Sequence, residues 1–188
     1  MFARTERLLL RPGWEDDAAA LHEAIAHEAV AMKLSRLPWP YTLEDAQSFL
    51  TAQWQQEAPH MLIFARTAGK PRLVGGIGLD LTGCTAELGY WISPRYWGLG
   101  FATEAARAVV DMARASLPCR KVVARHFVDN PASGNVLRKL GFQRSNRLIA
   151  RPCLARGMDV PCLDYELAFA DQGDCPDDNM DGRALLAA

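Results

Sequence analysis

The stretch "SPRYWGLGFATEAA", residues 93–106, crowds a proline, an arginine, two adjacent aromatic residues and two glycines ahead of a helical pattern. It follows "TAELGYWIS" (85–93), which reads as a strand, and opens "GLGFATEAARAVVDMARASL" (98–117). In that run Leu99, Ala102, Ala106, Val109, Val110 and Ala113 recur at helical spacing, and Pro118 ends it. Strand, then Arg-x-x-Gly-x-Gly, then amphipathic helix presents backbone N–H groups with no side chains over them. The first N–H groups of a helix lack internal partners and carry the positive end of its dipole. Gly98 and Gly100 remove Cβ atoms, so a bulky anion such as a pyrophosphate fits directly on those amides, with Arg95 beside it for charge-assisted hydrogen bonds. Taken alone, the segment is equally a plain strand-to-helix turn. Other phosphate motifs are excluded: there is no "GK[ST]", and "GGIGLDL" (75–81) lacks the third glycine of GxGxxG and runs into a strand.

Upstream, "RTERLLLRP" (4–12) is a strand and "EDDAAALHEAIAHEAVAM" (15–32) a helix with acids in its first turn. After "RLPWPY" (36–41), Thr42 is the N-cap of "LEDAQSFLTAQWQQEA", with Leu43, Ala46, Phe49, Leu50 and Trp54 as one apolar stripe. "HMLIFARTA" (60–68) and "RLVGGIGLDL" (72–81) form a hairpin over "GKP", and "TGC" leads into the 85–93 strand. Downstream, "KVVARHFV" (121–128) is a strand one helix later, which suggests a parallel crossover. A short helix, "PASGNVLRKL" (131–140), follows and is closed by Gly141. "FQRSNRLIA" and "VPCLDYELAF" are two final strands joined by a longer loop. The order β-α-α-β-β-β-α-β-α-β-β is α+β, a mixed, mostly antiparallel central sheet of about seven strands flanked by about four helices. Residues 1–169 form one domain, and 170–188, with five aspartates, read as an acidic flexible tail.

"VDNPASGNVLRKLGF" (128–142) adds a second polar cluster at a strand's C-terminal end. Asn130 offers donors and an acceptor to an amide-bearing ligand, and Ser133 a transferable hydroxyl proton. Asp129, Asn130 and Ser133 also suit helix capping, and both roles can coexist. If this strand neighbours the one before "RYWGLG", the two ends open a cleft for a long, thin ligand.

Composition narrows the partners. Of 188 residues 49% are hydrophobic and 23% charged, and the formal net charge is −1, so no global basic field attracts nucleic acid or anionic membrane. No apolar run approaches the roughly 18 residues of a membrane span. "MFARTERLLLRPGW" reads as a strand, not a signal peptide. Cys84, Cys119, Cys153, Cys162 and Cys175 are an odd set without CxxC spacing, which argues against a disulfide framework or zinc ribbon and for a reducing cytoplasm. His22 and His27 in "HEAIAH" are five apart, roughly 140° around a helix at about 100° per residue, too far to share a metal. No metal is expected.

"AELGYWISPRYWGLGFATEAARAVVDMA", followed one strand later by "NPASGNVLRKLGF", resembles the GNAT superfamily of N-acetyltransferases, and more narrowly its RimJ/RimL-like branch. The resemblance covers roughly residues 4–169 and is most specific in 86–106 and 128–142. It implies acetyl-CoA as co-substrate, its pyrophosphate on Arg95, Gly98, Leu99, Gly100, Phe101, Ala102 and Thr103. The pantetheine arm would pair like an added strand with Trp91, Ile92 and Ser93, and meet Asn130 from the other side. Many members use a tyrosine a few positions before the closing "GF" to protonate the departing thiolate; here Leu137 stands there. In the RimJ/RimL-like branch a serine in "NxAS" takes that role, and Ser133 matches it.

The implied chemistry is direct acetyl transfer from a thioester to a primary amine. An N–H near Ile92 would polarise the thioester carbonyl, Ser133 would donate to the thiolate, and Glu87, through water, would take the ammonium proton. Glu87 is also an ordinary solvated or salt-bridged strand residue, and Glu104 a first-turn acid that supports the dipole. An α-amine with a pKa near 7.7–8.0 is roughly a tenth to a fifth neutral at pH 7, a lysine near 10.4 under ~0.1%, which favours a peptide N-terminus or small amine. "MKLSRLPWPYT" (32–42) and the loop "CLARGMDVPC" (153–162) should flank the acceptor cleft, with Trp39, Tyr41 and Trp54 as candidate linings. An aminoglycoside-type acetyltransferase and a catalytically silent CoA-binding module are the competing readings, and a homodimer through sheet edges or C-terminal strands is compatible with the sequence.

Overall fold

A computed structural model of the chain describes residues 2–52 and 58–169. The strands are β1 (Ala3–Arg4), β2 (Leu8–Arg11), β3 (His60–Ala65), β4 (Arg72–Thr82), β5 (Thr85–Ile92), β6 (Lys121–Phe127), β7 (Gln143–Cys153) and β8 (Met158–Ala168). The helices are α1 (Ala18–Ile25), α2 (Glu28–Ala31), α3 (Leu43–Thr51), α4 (Phe101–Ser116) and α5 (Pro131–Lys139). All eight strands join one sheet in the order β1-β2-β3-β4-β5-β6-β8-β7. Every neighbouring pair is antiparallel except β5 and β6, which run parallel because α4 carries the chain across one face between them.

The α+β class and mixed sheet are as read from the sequence, with one strand and one helix more than the pattern suggested. The first strand is two: Thr5 N–H bonds to the Leu8 carbonyl at 3.0 Å, folding β1 back on β2. The first helix breaks where Ala26 leaves helical geometry (φ −71°, ψ 62°), giving α1 and α2. The loop expected between the last strands is also shorter: β7 and β8 run to Cys153 and from Met158, and only a tight turn closed by Gly157 (φ 63°) joins them. Thr42 does cap α3, its hydroxyl accepting from Asp45 N–H at 3.1 Å while the Asp45 carboxylate accepts from Thr42 N–H at 2.8 Å. The apolar stripe of α3 is narrower than expected: Ala46 and Leu50 pack inward, whereas Leu43 and Phe49 are exposed. Trp54 and the 170–188 tail lie outside the described residues.

Each sheet face carries a core. Ala105, Ala106, Val109, Val110 and Ala113 of α4 and Leu137 of α5 bury against Ile77, Leu79, Leu88, Val122 and Ala124. Such burial stabilises by about 1.5–3 kcal/mol for each large aliphatic side chain. On the other face Leu21, Ile25, Val30, Ala31 and Ala46 pack on Leu62 and Phe64. Among the described residues Cys119, Cys153 and Cys162 are buried free thiols.

Candidate active site

The parallel ladder of β5 and β6 runs only from Thr85↔Lys121 to Leu88↔Ala124, although β5 continues to Ile92 and β6 to Phe127. Beyond Leu88 the two strand ends diverge. Ser93 N–H bonds to the Val74 carbonyl of β4 at 2.8 Å, so antiparallel alternation turns the N–H groups of Tyr90 and Ile92 the other way, into this split. The Ile92 carbonyl accepts from the Trp97 indole at 2.6 Å, which fastens the turn after β5 to the strand. The sequence-predicted pair of strands are indeed neighbours, and both polar segments flank their open end.

On the β5 side, Gly98 and Gly100 have φ of 78° and 81°, the left-handed region that glycine occupies without strain. Gly100 is the N-cap of α4 and contributes no side-chain cap; the first helical bond is Glu104 N–H to Gly100 carbonyl at 3.1 Å. The N–H groups of Phe101, Ala102 and Thr103 therefore precede the hydrogen-bonded helix, at the positive end of a helix of 16 residues. The glycines thus serve the backbone conformation as well as the missing Cβ. Leu99 is an exposed residue of the turn, not the first of the helical stripe. Arg95 is 73% exposed and lies 3.8 Å from Glu23 of α1. Trp91 points away from α4: its indole covers Gly76, where an added Cβ would come within 2.5 Å of the ring nitrogen.

A second cation, and its pairing with Glu104, are not apparent in the sequence. Arg7, in the β1–β2 turn, donates from Nη1 to the Leu99 carbonyl at 2.9 Å and lies over the Phe101 ring. Glu104 holds it there, accepting from Arg7 N–H at 2.9 Å, Arg7 Nε at 2.7 Å and Thr5 Oγ1 at 2.6 Å. Burial pushes the Glu104 carboxyl upward, but these donors outweigh it and hold it below the usual glutamate range. "TER" in the first strand and the first-turn acid of α4 were each visible, yet nothing local pairs residues 97 apart.

On the β6 side, Asn130 is the N-cap position of α5 but its side chain makes no cap, and Asp129 pairs with Arg156 at 2.7 Å. The Asn130 carboxamide is thus not spent on the helix. Ser133 Oγ lies 2.7 Å from Tyr90 Oη, and Tyr90 also donates to the Ser133 carbonyl at 3.1 Å, a bridge across the split. Burial pushes the Tyr90 phenol up to about 12, against the pull of the Ser133 hydrogen bond, and nearby Tyr165 adds to the rise. Beneath α5, His126 is buried, its Nδ1 donating to the Phe127 carbonyl at 2.8 Å, and burial holds its pKa below the ordinary value. Gly134 lets the helix approach: a Cβ there would stand 2.6 Å from His126 Nε2 and 3.1 Å from Tyr165 Oη.

Glu87 lies on the opposite sheet face from Tyr90, in a polar layer. Its Oε2 is 2.5 Å from Arg125 Nη1 and 3.5 Å from Arg151 Nη2, and Arg125 Nε is 2.9 Å from Asp164. Directly opposite Glu87 on β4, Asp80 pairs with Arg36 and His60 and is held at about 2, chiefly by the His60 hydrogen bond, with burial opposing and Arg36 assisting. The two segments expected to flank an acceptor do meet over this face. Leu154 N–H bonds to the Ser35 carbonyl at 3.0 Å and Arg156 Nε to the Met32 carbonyl at 2.9 Å. Tyr41 is buried there, with Trp39 partly exposed.

A family model described as "Acetyltransferase (GNAT) domain" matches residues 7–143. An "Uncharacterized N-acetyltransferase YoaA" of Bacillus subtilis is 31% identical over 149 residues, covering 77% of this chain and 84% of that protein. The "Ribosomal-protein-serine acetyltransferase" of Escherichia coli is 36% identical over 58 residues, 31% of this chain and 32% of its own. Among solved structures, a GNAT-family acetyltransferase from Bacillus anthracis superposes with a TM-score of 0.76 at 24% identity, over 89% of this chain and 98% of its own. RimL, a ribosomal L7/L12 alpha-N-protein acetyltransferase in complex with coenzyme A, superposes with a TM-score of 0.73 at 20% identity over 89% and 98%. No helix among the described residues is long and apolar enough to cross a membrane. The fold and these likenesses together show that the chain belongs to the GNAT family of N-acetyltransferases, with RimJ/RimL-like relatives.

Proposed function

We propose that the protein transfers acetyl from acetyl-CoA to an α-amine, a peptide N-terminus or a small amine of similar basicity, in the cytoplasm. The observation that carries this reading is the β5–β6 split, with free helix-start amides on one lip and Asn130 and Ser133 on the other. The amides of Phe101 to Thr103, with Gly98, Leu99, Gly100 and Arg95, suit a pyrophosphate. The strand end Trp91–Ser93 suits a pantetheine arm, whose amides Asn130 can meet from across the split. Ile92 N–H polarises the thioester carbonyl, and Ser133 donates to the departing sulfur. Glu87 works through a water on Oε1, since both of its ion pairs fall on Oε2. An α-amine needs the least help from such a base, because roughly a tenth to a fifth of it is already neutral at pH 7. Relatives named for ribosomal proteins support a peptide N-terminus as acceptor.

The test is release of free thiol from acetyl-CoA across a panel of peptide N-termini, polyamines and aminoglycosides. Turnover on an α-amine, cut about 100-fold in Ser133→Ala, is the expected result. Tight CoA binding with no turnover on any of them would instead identify a silent binding module, and a clear preference for aminoglycosides would move the acceptor class.

A further inference from the structure

We infer that Tyr90 is a positioning residue that sets the direction of the Ser133 hydroxyl, so that the serine proton points into the split and not into the protein. The inference rests on Ser133 as the donor to sulfur, and goes beyond it by naming the group that makes a serine adequate for that role. A serine hydroxyl rotates freely and is a weak acid; alone beside a forming thiolate it has no fixed aim. Here Ser133 Oγ is 2.7 Å from the Tyr90 oxygen, and the same phenol reaches the Ser133 carbonyl at 3.1 Å. The single phenolic proton can serve only one of these acceptors at a time.

Two arrangements follow. With the phenol donating to the carbonyl, Ser133 donates to Tyr90 and its proton is turned away from the split. With the phenol donating to Oγ, the serine proton is released toward the split, and the incoming hydrogen bond strengthens Ser133 as a donor. The second arrangement is the working one. As the C–N bond forms and the C–S bond breaks, Ser133 gives its proton to sulfur and regains one lost by the acylated nitrogen. Tyr90 keeps its own proton and stabilises the oxygen that briefly lacks one. The sum is one amine proton moved to sulfur. The phenol must stay protonated throughout, and its raised pKa ensures this across the working range. The ionisable neighbours on this side are Tyr165 of β8 and, tilted against Tyr165 with ring centroids 5.3 Å apart, His126 of β6. Tyr90 was invisible as a functional residue in "AELGYWIS" because an aromatic on the core face of a strand is ordinary packing; its meaning lies in a contact with a residue 43 positions away.

The experiment is a cycle of Tyr90→Phe, Ser133→Ala and the double variant, read by thiol release with a good amine. Tyr90→Phe should lower kcat roughly five- to tenfold with KM for acetyl-CoA within about twofold. The double variant should match Ser133→Ala, because Tyr90 then has nothing to aim. A second readout replaces Tyr90 with 3,5-difluorotyrosine, which keeps the ring but is far more acidic. Once ionised it can only accept from Ser133, so kcat should fall on the alkaline side where the native enzyme does not. Unchanged kcat in Tyr90→Phe while Ser133→Ala is slow overturns the positioning role and leaves Ser133 standing. Equal losses from Tyr90→Phe with and without Ser133, or no new alkaline limb, overturn it as well. Unchanged kcat in Ser133→Ala overturns the serine reading and this inference together.

Discussion

Glu104→Gln tests how the β1–β2 turn holds the glycine turn that we propose seats the pyrophosphate. The carboxylate accepts from Thr5 Oγ1, Arg7 N–H and Arg7 Nε at 2.6, 2.9 and 2.7 Å. A glutamine oxygen keeps acceptor capacity for the first two donors but loses the charge, and its NH2 faces the guanidinium as a second donor. Charge-assisted bonds contribute about 1.5–3 kcal/mol where buried, but Arg7 is about half exposed and its share is screened, which leaves a net loss of about 2 kcal/mol. For a chain of this size that is roughly 4–8 °C in Tm. The pH dependence has a fixed sign. The folded-state pKa of Glu104 lies below its ordinary value of 4.5, so its contribution is complete above that value and is lost as pH falls through the folded value. Native and variant melting curves should therefore stand apart at pH 7 and converge as the pH falls below 4.5 and on through the folded value. Because Arg7 also holds the Leu99 carbonyl, the variant should bind CoA about three- to tenfold more weakly by calorimetry, with kcat within about twofold. Equal Tm values at pH 7, or a gap that persists unchanged in acid, would refute the reasoning.

Three further outcomes are expected. Gly100→Ala places a Cβ on a residue at φ 81°, should cost about 1–2 kcal/mol, and should weaken CoA binding in the same titration. Gly134→Ala gains about 1 kcal/mol of helix propensity but drives a methyl to within 2.6 Å of His126. Its effect on urea unfolding should be under about 2 kcal/mol, while kcat drops because Ser133 moves with the helix. Asp17→Ala strips the carboxylate partner from Arg11, both 12% exposed and 2.7 Å apart, and should destabilise by about 3 kcal/mol in urea unfolding; a loss under about 1 kcal/mol would show that the Pro12 carbonyl and the Trp14 and Phe64 rings can hold that guanidinium.

What the chain discloses locally and what it hides follow from the range of the interactions. The glycine turn, the α4 stripe beyond Leu99 and the Thr42 cap depend on neighbours a few positions apart and were legible, and the parallel crossover followed from the order of the elements. The two polar segments could be read as two lips of one cleft because each sits at a strand end. The Arg7–Glu104 and Tyr90–Ser133 pairs were not legible, since each joins residues of ordinary type through the folded sheet. Glu87 was singled out for its residue type, yet two arginines from β6 and β7 set its surroundings, and neither stood out in its own strand. The break at Ala26 was hidden for a related reason: the helical pattern runs on through it, and only packing redirects the chain.

The short ladder between β5 and β6 also bears on how the molecule breathes. Strands β1 to β5 form a consecutive antiparallel block, and β6, β7 and β8 form another, joined by the few pairs from Thr85↔Lys121 to Leu88↔Ala124 and by α4. With only four register pairs, this seam is the weakest joint between long strands and opens early, between two cooperative units. Hydrogen exchange should find the seam amides of Leu88, Val123 and Arg125 less protected than those within either block. A strand-like arm that pairs with Tyr90 and Ile92 would act as a rivet there, tightening the joint at a distance from its own atoms.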